Sequence, residues 1–275
     1  MSSQAQRVAR FRALHERPGA FVIPNPWDIG TARILAAAGF EALATTSLGF
    51  ANTLGRVDGV GAVSRDEVIA HCRTLAEATD LPLNADLENC YADAPKEAAK
   101  TIAIAADAGV AGASIEDSTG DAKNPIYDFR FAVERVAAAV EAAHARPVPI
   151  LLTARAENYL HGRPDLDDTV KRLLAFAEAG ADVLYAPGLA SNADIATLIR
   201  SVDRPVNVLM GLKGVKLTVD DVSAIGAKRI SVGSGLARCA LGAFLRAARD
   251  IREHGSFAFA EDAVDYRTIN SIFAS

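Results

Sequence analysis

Acidic side chains stand at the ends of several short apolar runs, and their types and spacing could bind a metal ion. Asp86 and Glu88 end one run, Glu116 ends another, and Asp58 follows a third in a predicted loop. Alternation along a strand places Asp86 and Glu88 on the same face. Converging carboxylates repel one another unless a cation joins them, and oxygen ligands suit Mg²⁺ or Mn²⁺. Because acids in apolar strands are costly unless paired or metal-bound, we predict a metal site at Asp86, Glu88 and Glu116.

Other interpretations of these charges stay open. Any single acid could instead form a salt bridge or cap a helix, and this holds above all for Asp117 and Glu157. Arg155 ends a further apolar run. Its planar guanidinium could pair with one of the carboxylates, or it could bind a substrate carboxylate through two hydrogen bonds. No Lys ends a predicted strand, which argues against a Schiff-base aldolase.

Eight apolar runs, typical of parallel strands covered on both faces, alternate with longer Ala-rich helical patterns. The predicted strands span residues 21–26, 41–47, 81–88, 112–118, 149–155, 182–188, 205–210 and 229–235. A doubly wound open sheet is the alternative, but no Gly-x-Gly-x-x-Gly follows the first strand. Eight such units in about 250 residues predict an α/β fold of the (β/α)8 TIM-barrel type, in which active-site residues lie at the carboxyl ends of the strands.

The chain continues beyond the eighth predicted strand for longer than a barrel needs. Two helical patterns follow, at 236–254 and 257–273. One of them closes the barrel, and the other is surplus. We therefore predict a single domain over residues 1–275, with a C-terminal helical arm at about 256–275 that could pack on a neighbouring subunit.

Composition excludes several classes of protein. The chain has 275 residues, 50% hydrophobic and 23% charged, with a formal net charge of −5. It has no apolar run of about 18 residues and no basic block, so we expect neither a membrane span nor a nucleic-acid surface. Cys72, Cys90 and Cys239 form no metal-ligand spacing, and the first residues lack the apolar core of a secretory signal. We expect a cytoplasmic protein.

Several motifs, in their order along the chain, resemble those of the isocitrate lyase/phosphoenolpyruvate mutase superfamily, and its smaller bacterial branch most. The resemblance covers residues 21–241. The matching segments are Asn25-Pro26-Trp27-Asp28, Thr45-Thr46-Ser47, Leu54-Gly55-x-x-Asp58, Asp86-Leu87-Glu88, Ile115-Glu116-Asp117-Ser118, Thr153-Ala154-Arg155 and Pro205-Val206-Asn207-Val208.

The resemblance implies a barrel whose last helix is exchanged between subunits, in a homotetramer built from helix-swapped dimers. It also implies Mg²⁺ bound directly by Asp86, with Glu88, Glu116 and Asp58 acting largely through water. The implied reaction is a Mg²⁺-dependent cleavage of a carbon–carbon bond, through an enolate, in a small 2-oxo or 2-hydroxy dicarboxylic acid. The cation and preorganised N–H donors would stabilise the enolate charge.

The resemblance also assigns roles to individual residues. Those expected to contact the substrate, a small anionic 2-oxo acid, are Trp27, Thr45, Thr46, Ser47, Asp86, Arg155 and Asn207. Those expected to take part in catalysis are Asp58, Glu116, Arg155 and Asn124.

Two departures from the superfamily's pattern leave the reaction open. The loop at 120–127 has no Cys, whereas members that cleave isocitrate-like substrates carry a catalytic Cys there. Lys123-Asn124 loosely matches phosphonate-processing members, so a phosphonopyruvate mutase or hydrolase is the alternative, and a non-catalytic binder of 2-oxo acids is another. The second departure is Cys90-Tyr91-Ala92, where Gly-Tyr-Gly is frequent. Cys90 could be a packing residue or a reactive thiol.

Overall fold

Eight parallel strands form the centre of the computed structural model, which describes residues 2–274. The strands are β1 (Phe21–Ile23), β2 (Leu43–Ala44), β3 (Leu83–Asp86), β4 (Gly112–Glu116), β5 (Leu151–Arg155), β6 (Val183–Tyr185), β7 (Val206–Leu209) and β8 (Arg229–Ser231). Their order in the sheet is β1-β8-β7-β6-β5-β4-β3-β2. A backbone hydrogen bond from Ala44 N–H to the Pro24 carbonyl, at 3.0 Å, bridges β1 and β2. The predicted α/β barrel is confirmed, and it is nearly closed.

Helices surround the barrel and connect its strands. They are α1 (Gln4–Glu16), α2 (Ile29–Ala37), α3 (Ser47–Thr53), α4 (Arg65–Ala78), α5 (Pro95–Asp107), α6 (Phe129–His144), α7 (Leu166–Glu178), α8 (Asn192–Ser201), α9 (Val219–Ala224), α10 (Gly235–His254) and α11 (Tyr266–Phe273). No helix within residues 2–274 is both long enough and apolar enough to cross a bilayer.

Helix α1 covers the amino-terminal end of the barrel. Its fully buried Phe11 lies against Phe21, with ring centroids 6.2 Å apart, and beside Gly112. Phe21 and Gly112 are the first residues of β1 and β4, so Phe11 closes the barrel from below. Since α1 packs at the amino-terminal end, the opposite end of the barrel stays open to solvent. The polar residues at the carboxyl ends of the strands can therefore form a site there.

The observed elements differ from the predicted ones at their ends. The run at 41–47 contains only two strand residues, because Thr46 caps α3 and its hydroxyl accepts a hydrogen bond from Gly49 N–H at 3.4 Å. The helix predicted at 257–273 is a 3-10 turn (Ala258–Asp262) followed by α11. The break falls at Asp265, whose carboxylate caps α11 by accepting from Thr268 N–H at 2.9 Å. Such caps end one element and begin another.

Helix α10 lies mostly outside the core. Of its 20 residues only Ala237 is buried, whereas Phe244 and Leu245 are 70% and 61% exposed. The following α11 returns to the barrel and packs against α2. The long apolar face of α10 is therefore left uncovered by the part of the chain that the structure describes.

Candidate active site

A cavity of about 970 Å³ opens at the carboxyl ends of the strands. The predicted site residues that line it are Thr45, Thr46, Ser47, Asp58, Asp86, Glu88, Glu116, Arg155 and Asn207. They come from different strands and loops. They meet because the carboxyl ends of parallel strands share one edge of the barrel.

Two predicted site residues lie elsewhere. Trp27 packs beside Gly49 of α3, so closely that a Cβ on Gly49 would meet the Trp27 Cβ at 2.9 Å. Asn124 is exposed, and its side-chain Nδ2 donates to Asp121 Oδ2 at 3.3 Å. Neither residue lines the cavity in this structure.

Arg155 is the centre of the charge network in the cavity. Its guanidinium lies 2.7 Å from Asp86 Oδ1, 3.1 Å from Glu116 Oε2 and 2.9 Å from Glu157 Oε1. Burial lowers the pKa of Arg155, but the nearby carboxylates outweigh it and hold that pKa well above the ordinary range. Without a ligand, Arg155 is thus the partner of three carboxylates, one of the two roles that the sequence left open.

The other acids of the cavity carry raised pKa values. Burial, followed by repulsion from Asp86, raises the pKa of Asp58 and raises that of Glu88 to about 7. Burial also raises the pKa of Glu116, and repulsion from Glu157 adds to it against the opposing effect of Arg155. Several carboxylates thus lie near the single guanidinium of Arg155 and repel one another. A further cation would lower this repulsion and favour their charged forms.

Small hydroxyl residues at the strand ends fix Asp86. The Asp86 backbone N–H donates to Thr45 Oγ1 at 2.7 Å, and Ser47 N–H donates to Asp86 Oδ2 at 3.3 Å. Ser47 Oγ also donates to Asp58 Oδ2 at 3.3 Å. The Thr45-Thr46-Ser47 segment therefore joins the acids of two loops and places backbone N–H groups at the cavity wall.

The loop after β3 has an unusual backbone. Glu88, Cys90 and Tyr91 have positive φ angles of 49°, 62° and 57°, a conformation that costs about 1–2 kcal/mol for each non-glycine residue. Tyr91 Oη donates to Glu88 Oε1 at 3.0 Å, so this backbone brings Tyr91 against an acid of the cavity. Burial raises the pKa of Cys90 to about 12. A thiol with that pKa is a packing residue rather than a nucleophile.

Arg135 of α6 holds this loop, and sequence analysis missed it. The side chain is 1% exposed, and its guanidinium donates to the backbone carbonyls of Asn89, Ala92 and Asp93, each at 2.5 Å. The guanidinium also lies 4.3 Å from the centre of the Tyr127 ring. Nothing in the helical pattern of α6 indicates this role, because the partners are carbonyls more than 40 residues away along the chain.

Asp117 and Glu157 have different roles although both are buried. Asp117 accepts from Glu157 N–H at 2.8 Å and from Arg172 Nη1 at 3.1 Å, and it does not line the cavity. It is therefore the structural salt bridge that its sequence context allowed. Glu157 lines the cavity and holds the Nε of Arg155 at 2.9 Å.

The donor set of the cavity fits a divalent cation. Within residues 2–274, no three His, Cys, Asp or Glu side chains are already arranged to ligate one metal ion. The acids that line the cavity nevertheless include all four predicted ones, Asp58, Asp86, Glu88 and Glu116, and these are oxygen donors. Mg²⁺ prefers oxygen ligands and keeps several waters, so one or two direct carboxylates with the others acting through water suit it.

Comparisons with known proteins agree with this architecture. A family model described as phosphoenolpyruvate phosphomutase matches residues 11–252. A crystal structure from Burkholderia cenocepacia J2315, assigned provisionally as a lyase or mutase, has 57% sequence identity and a TM-score of 0.96, and the match covers 99% of this chain and 97% of that one. An uncharacterised protein of Mycobacterium tuberculosis is 34% identical over 245 residues, which is 88% of this chain and 89% of the relative. A Corynebacterium glutamicum protein named as a probable 2-methylisocitrate lyase is 28% identical over 91% of this chain and 83% of its own.

Proposed function

Because the chain belongs to the phosphoenolpyruvate mutase family, we propose that it is a Mg²⁺-dependent lyase that breaks a carbon–carbon bond in a small 2-oxo or 2-hydroxy dicarboxylic acid. The observation that carries the proposal is the group of carboxylates at the barrel mouth, three of which, Asp86, Glu116 and Glu157, pair with Arg155. The relative named as a 2-methylisocitrate lyase supports carbon–carbon cleavage as the reaction class.

Asp86 would hold Mg²⁺ directly, with Glu88, Glu116 and Asp58 contributing through water. When bound, the cation would supply a Lewis acid for the carboxylate and adjacent oxygen of the substrate. Asp86 is suited to this role because Thr45 and Ser47 fix its backbone and its carboxylate from two sides.

The protein's own groups would bind the substrate and stabilise its charge. Arg155 would bind a substrate carboxylate through its fork of N–H donors, with Glu157 holding its Nε in place. As the carbon–carbon bond breaks, its electron pair stays on one carbon as an enolate. The backbone N–H of Thr46 would stabilise the enolate oxygen, whereas the N–H of Ser47 holds the Asp86 carboxylate.

A proton must also move. With a 2-hydroxy acid, a base removes the hydroxyl proton as the bond breaks, and the enolate carbon then takes up a proton. With a 2-oxo dicarboxylate, the lost carbon leaves as CO₂, and only the uptake of a proton is needed. Asp58, whose carboxylate accepts from the Ser47 hydroxyl, would take the hydroxyl proton of a 2-hydroxy acid and pass it to the enolate carbon. With a 2-oxo dicarboxylate, Asp58 would first take a proton from water and then donate it to the enolate carbon.

Cleavage of a carbon–carbon bond is favoured over cleavage of a phosphorus–carbon bond by the position of Asn124. If the protein were a phosphonopyruvate mutase or hydrolase, Asn124 would be expected to contact the substrate. Its side chain is exposed, hydrogen-bonded to Asp121, and outside the cavity.

The test is a panel of small 2-oxo and 2-hydroxy dicarboxylic acids with Mg²⁺. At least one should be cleaved, EDTA should abolish the reaction, and added Mg²⁺ should restore it. Asp86→Asn should reduce kcat/KM at least about a thousandfold, since a Lewis acid supplies several kcal/mol to the transition state. Asp203→Asn, at a side chain that is 85% exposed, is the matched control and should have no effect.

The other candidate functions give different results in the same experiment. Turnover of phosphonopyruvate, followed by phosphorus NMR, would establish the phosphonate reaction instead. Metal-dependent binding of the acids without turnover of any would establish a binder.

We also propose a cytoplasmic homotetramer built from dimers that exchange their C-terminal helices. The uncovered apolar face of α10, with Phe244 70% exposed, supports the exchange. Cys72, Cys90 and Cys239 are all free thiols in the structure, which suits a reducing compartment.

A further inference from the structure

Arg229, the first residue of β8, carries a buried charge that no acid among residues 2–274 pairs with. Its side chain is 3% exposed. Its Nε donates to Asn207 Oδ1 at 2.9 Å and its Nη2 donates to Thr153 Oγ1 at 3.1 Å. Both partners are neutral. Its Nη1 is buried and has no hydrogen-bond partner among residues 2–274.

The contrast with Arg155 makes this arrangement informative. Both arginines line the same cavity. Arg155 has three carboxylate partners, whereas Arg229 has two neutral ones and an unused nitrogen. Burial lowers the pKa of Arg229 to about 9, against an opposing effect of Tyr185 and with a smaller contribution from Arg155, so the group is still charged at neutral pH. An unpaired buried charge is strongly unfavourable unless something compensates it.

The position of Arg229 shows where the compensating group would lie. Asn207 is its register partner on β7, and Thr153 stands two residues before Arg155 on β5. The Arg229 side chain therefore crosses the barrel below the level of Arg155 and forms part of the cavity floor. The cavity thus has acids at its mouth and an unpaired cation at its floor.

We propose that Arg229 binds the distal carboxylate of the substrate, while the other end of the same molecule lies among the acids at the mouth. The substrate class is then a dicarboxylate rather than a monocarboxylate. This inference rests on the proposed function, because it places the reacting end of the substrate beside Asp86.

Neighbouring side chains fit this role for Arg229. Asn207 holds the Arg229 Nε through its side-chain oxygen, and the Asn207 Nδ2 donates to Ser231 Oγ at 2.9 Å. The amide of Asn207 is therefore fixed with its oxygen toward the arginine, which orients the guanidinium. A site built to hydrogen-bond a charged group discriminates strongly against an analogue that lacks it, because its own polar atoms are then left unpaired.

The experiment uses three probes with Mg²⁺, measured by calorimetry on the full-length protein. Oxalate occupies only the reacting end. 3,3-Difluorooxaloacetate and 3,3-difluoro-2-oxobutanoate have the same four-carbon skeleton and differ in the distal carboxylate. Wild-type protein should bind the dicarboxylate about 10- to 100-fold more tightly than the monocarboxylate.

Variants then assign that preference to Arg229. Arg229→Met keeps much of the side-chain volume and should remove the preference, with oxalate affinity changed less than about threefold. Arg229→Lys keeps the positive charge and should retain part of the preference for the four-carbon dicarboxylate. The matched control is Arg7→Met, because Arg7 is a buried arginine outside the cavity that donates to the carbonyls of Ser2 and Gly109. This control should leave both affinities unchanged.

Failure of the inference can be told apart from failure of the proposed function. Wild-type protein that binds oxalate but does not distinguish the two four-carbon probes would overturn the role of Arg229 alone. The same conclusion would follow if Arg229→Met folds and keeps the preference for 3,3-difluorooxaloacetate. It would also follow if the variant lowers the affinities for oxalate and for 3,3-difluorooxaloacetate equally. Wild-type protein that binds none of the probes in the presence of Mg²⁺ would overturn both. If Arg229→Met does not fold, the assignment rests on Arg229→Lys, and a wild-type protein without the preference would still overturn the role.

Discussion

Replacing Arg135 by Met tests how the loop after β3 is held. Three charge-assisted hydrogen bonds to carbonyls join Arg135 to this loop, and each contributes about 1.5–3 kcal/mol net. The loop holds three non-glycine residues at positive φ, at about 1–2 kcal/mol each. The stabilising free energy of the three hydrogen bonds is therefore similar in size to the free-energy cost of the strained backbone, and it offsets that cost.

The variant should lose less stability than the three hydrogen bonds contribute. When they are removed, the loop can relax and release its strain, so the net loss is about 1.5–3 kcal/mol. The relaxation carries a functional consequence, because Glu88 and Tyr91 belong to the strained segment and are hydrogen-bonded to each other. We expect oxalate binding in the presence of Mg²⁺ to weaken at least about tenfold, since Glu88 moves away from the other acids of the cavity.

Urea denaturation and calorimetry measure the two effects separately. Arg7→Met is again the control, because it also removes hydrogen bonds from a buried arginine to backbone carbonyls, but far from the cavity. It should lose stability while its oxalate affinity stays that of the wild type. The reasoning is refuted if Arg135→Met keeps wild-type oxalate affinity, or if its loss of stability equals the full contribution of three hydrogen bonds.

Three further predictions concern stability and assembly. Burial lowers the pKa of His15 to about 3 from 6.5, so the unfolded chain binds an additional proton between those values. The free energy of unfolding should therefore decrease as the pH falls from about 6.5 to about 3, by up to about 1.4 kcal/mol per pH unit. Denaturation of His15→Phe across this range should show a correspondingly smaller slope. Gly112→Ala would place a Cβ 3.1 Å from the Leu151 carbonyl and should cost about 1–3 kcal/mol, whereas Gly242→Ala within α10 should not destabilise. Phe244→Glu should reduce the mass measured by light scattering, and a wild-type protein that is monomeric at every concentration would contradict the proposed exchange of C-terminal helices.

The barrel and the meeting of its acids followed from the sequence because both depend on periodicity. Runs of apolar residues separated by helical patterns define parallel strands, and parallel strands place their carboxyl ends at one edge. The acids at those ends therefore had to converge, as Asp58, Asp86, Glu88 and Glu116 do. The cap at the start of α4 was also predictable, since Ser64 and Glu67 have the required spacing and hydrogen-bond to each other.

Contacts between distant segments could not be predicted in the same way. Arg135 lies in an ordinary helical pattern, and its partners are carbonyls, which leave no trace in residue type. The three carboxylates around Arg155 come from three places along the chain, so only the folded barrel shows that they share it. Arg229 did leave a signal, because a charged residue at the start of an apolar strand is costly unless it has a function or a partner.

The distribution of charge in the cavity separates recognition from chemistry. An acidic protein can accept a dianion only where local positive charge exceeds local negative charge. Among the described arginines that line the cavity, Arg65 lies 3.3 Å from Asp66 and Arg155 is paired with three carboxylates. Arg229 alone has no acidic partner among them. The positive charge that selects the distal carboxylate would therefore come from the floor of the barrel, whereas Arg155 and the acids at the mouth would serve the reacting end of the substrate and the cation.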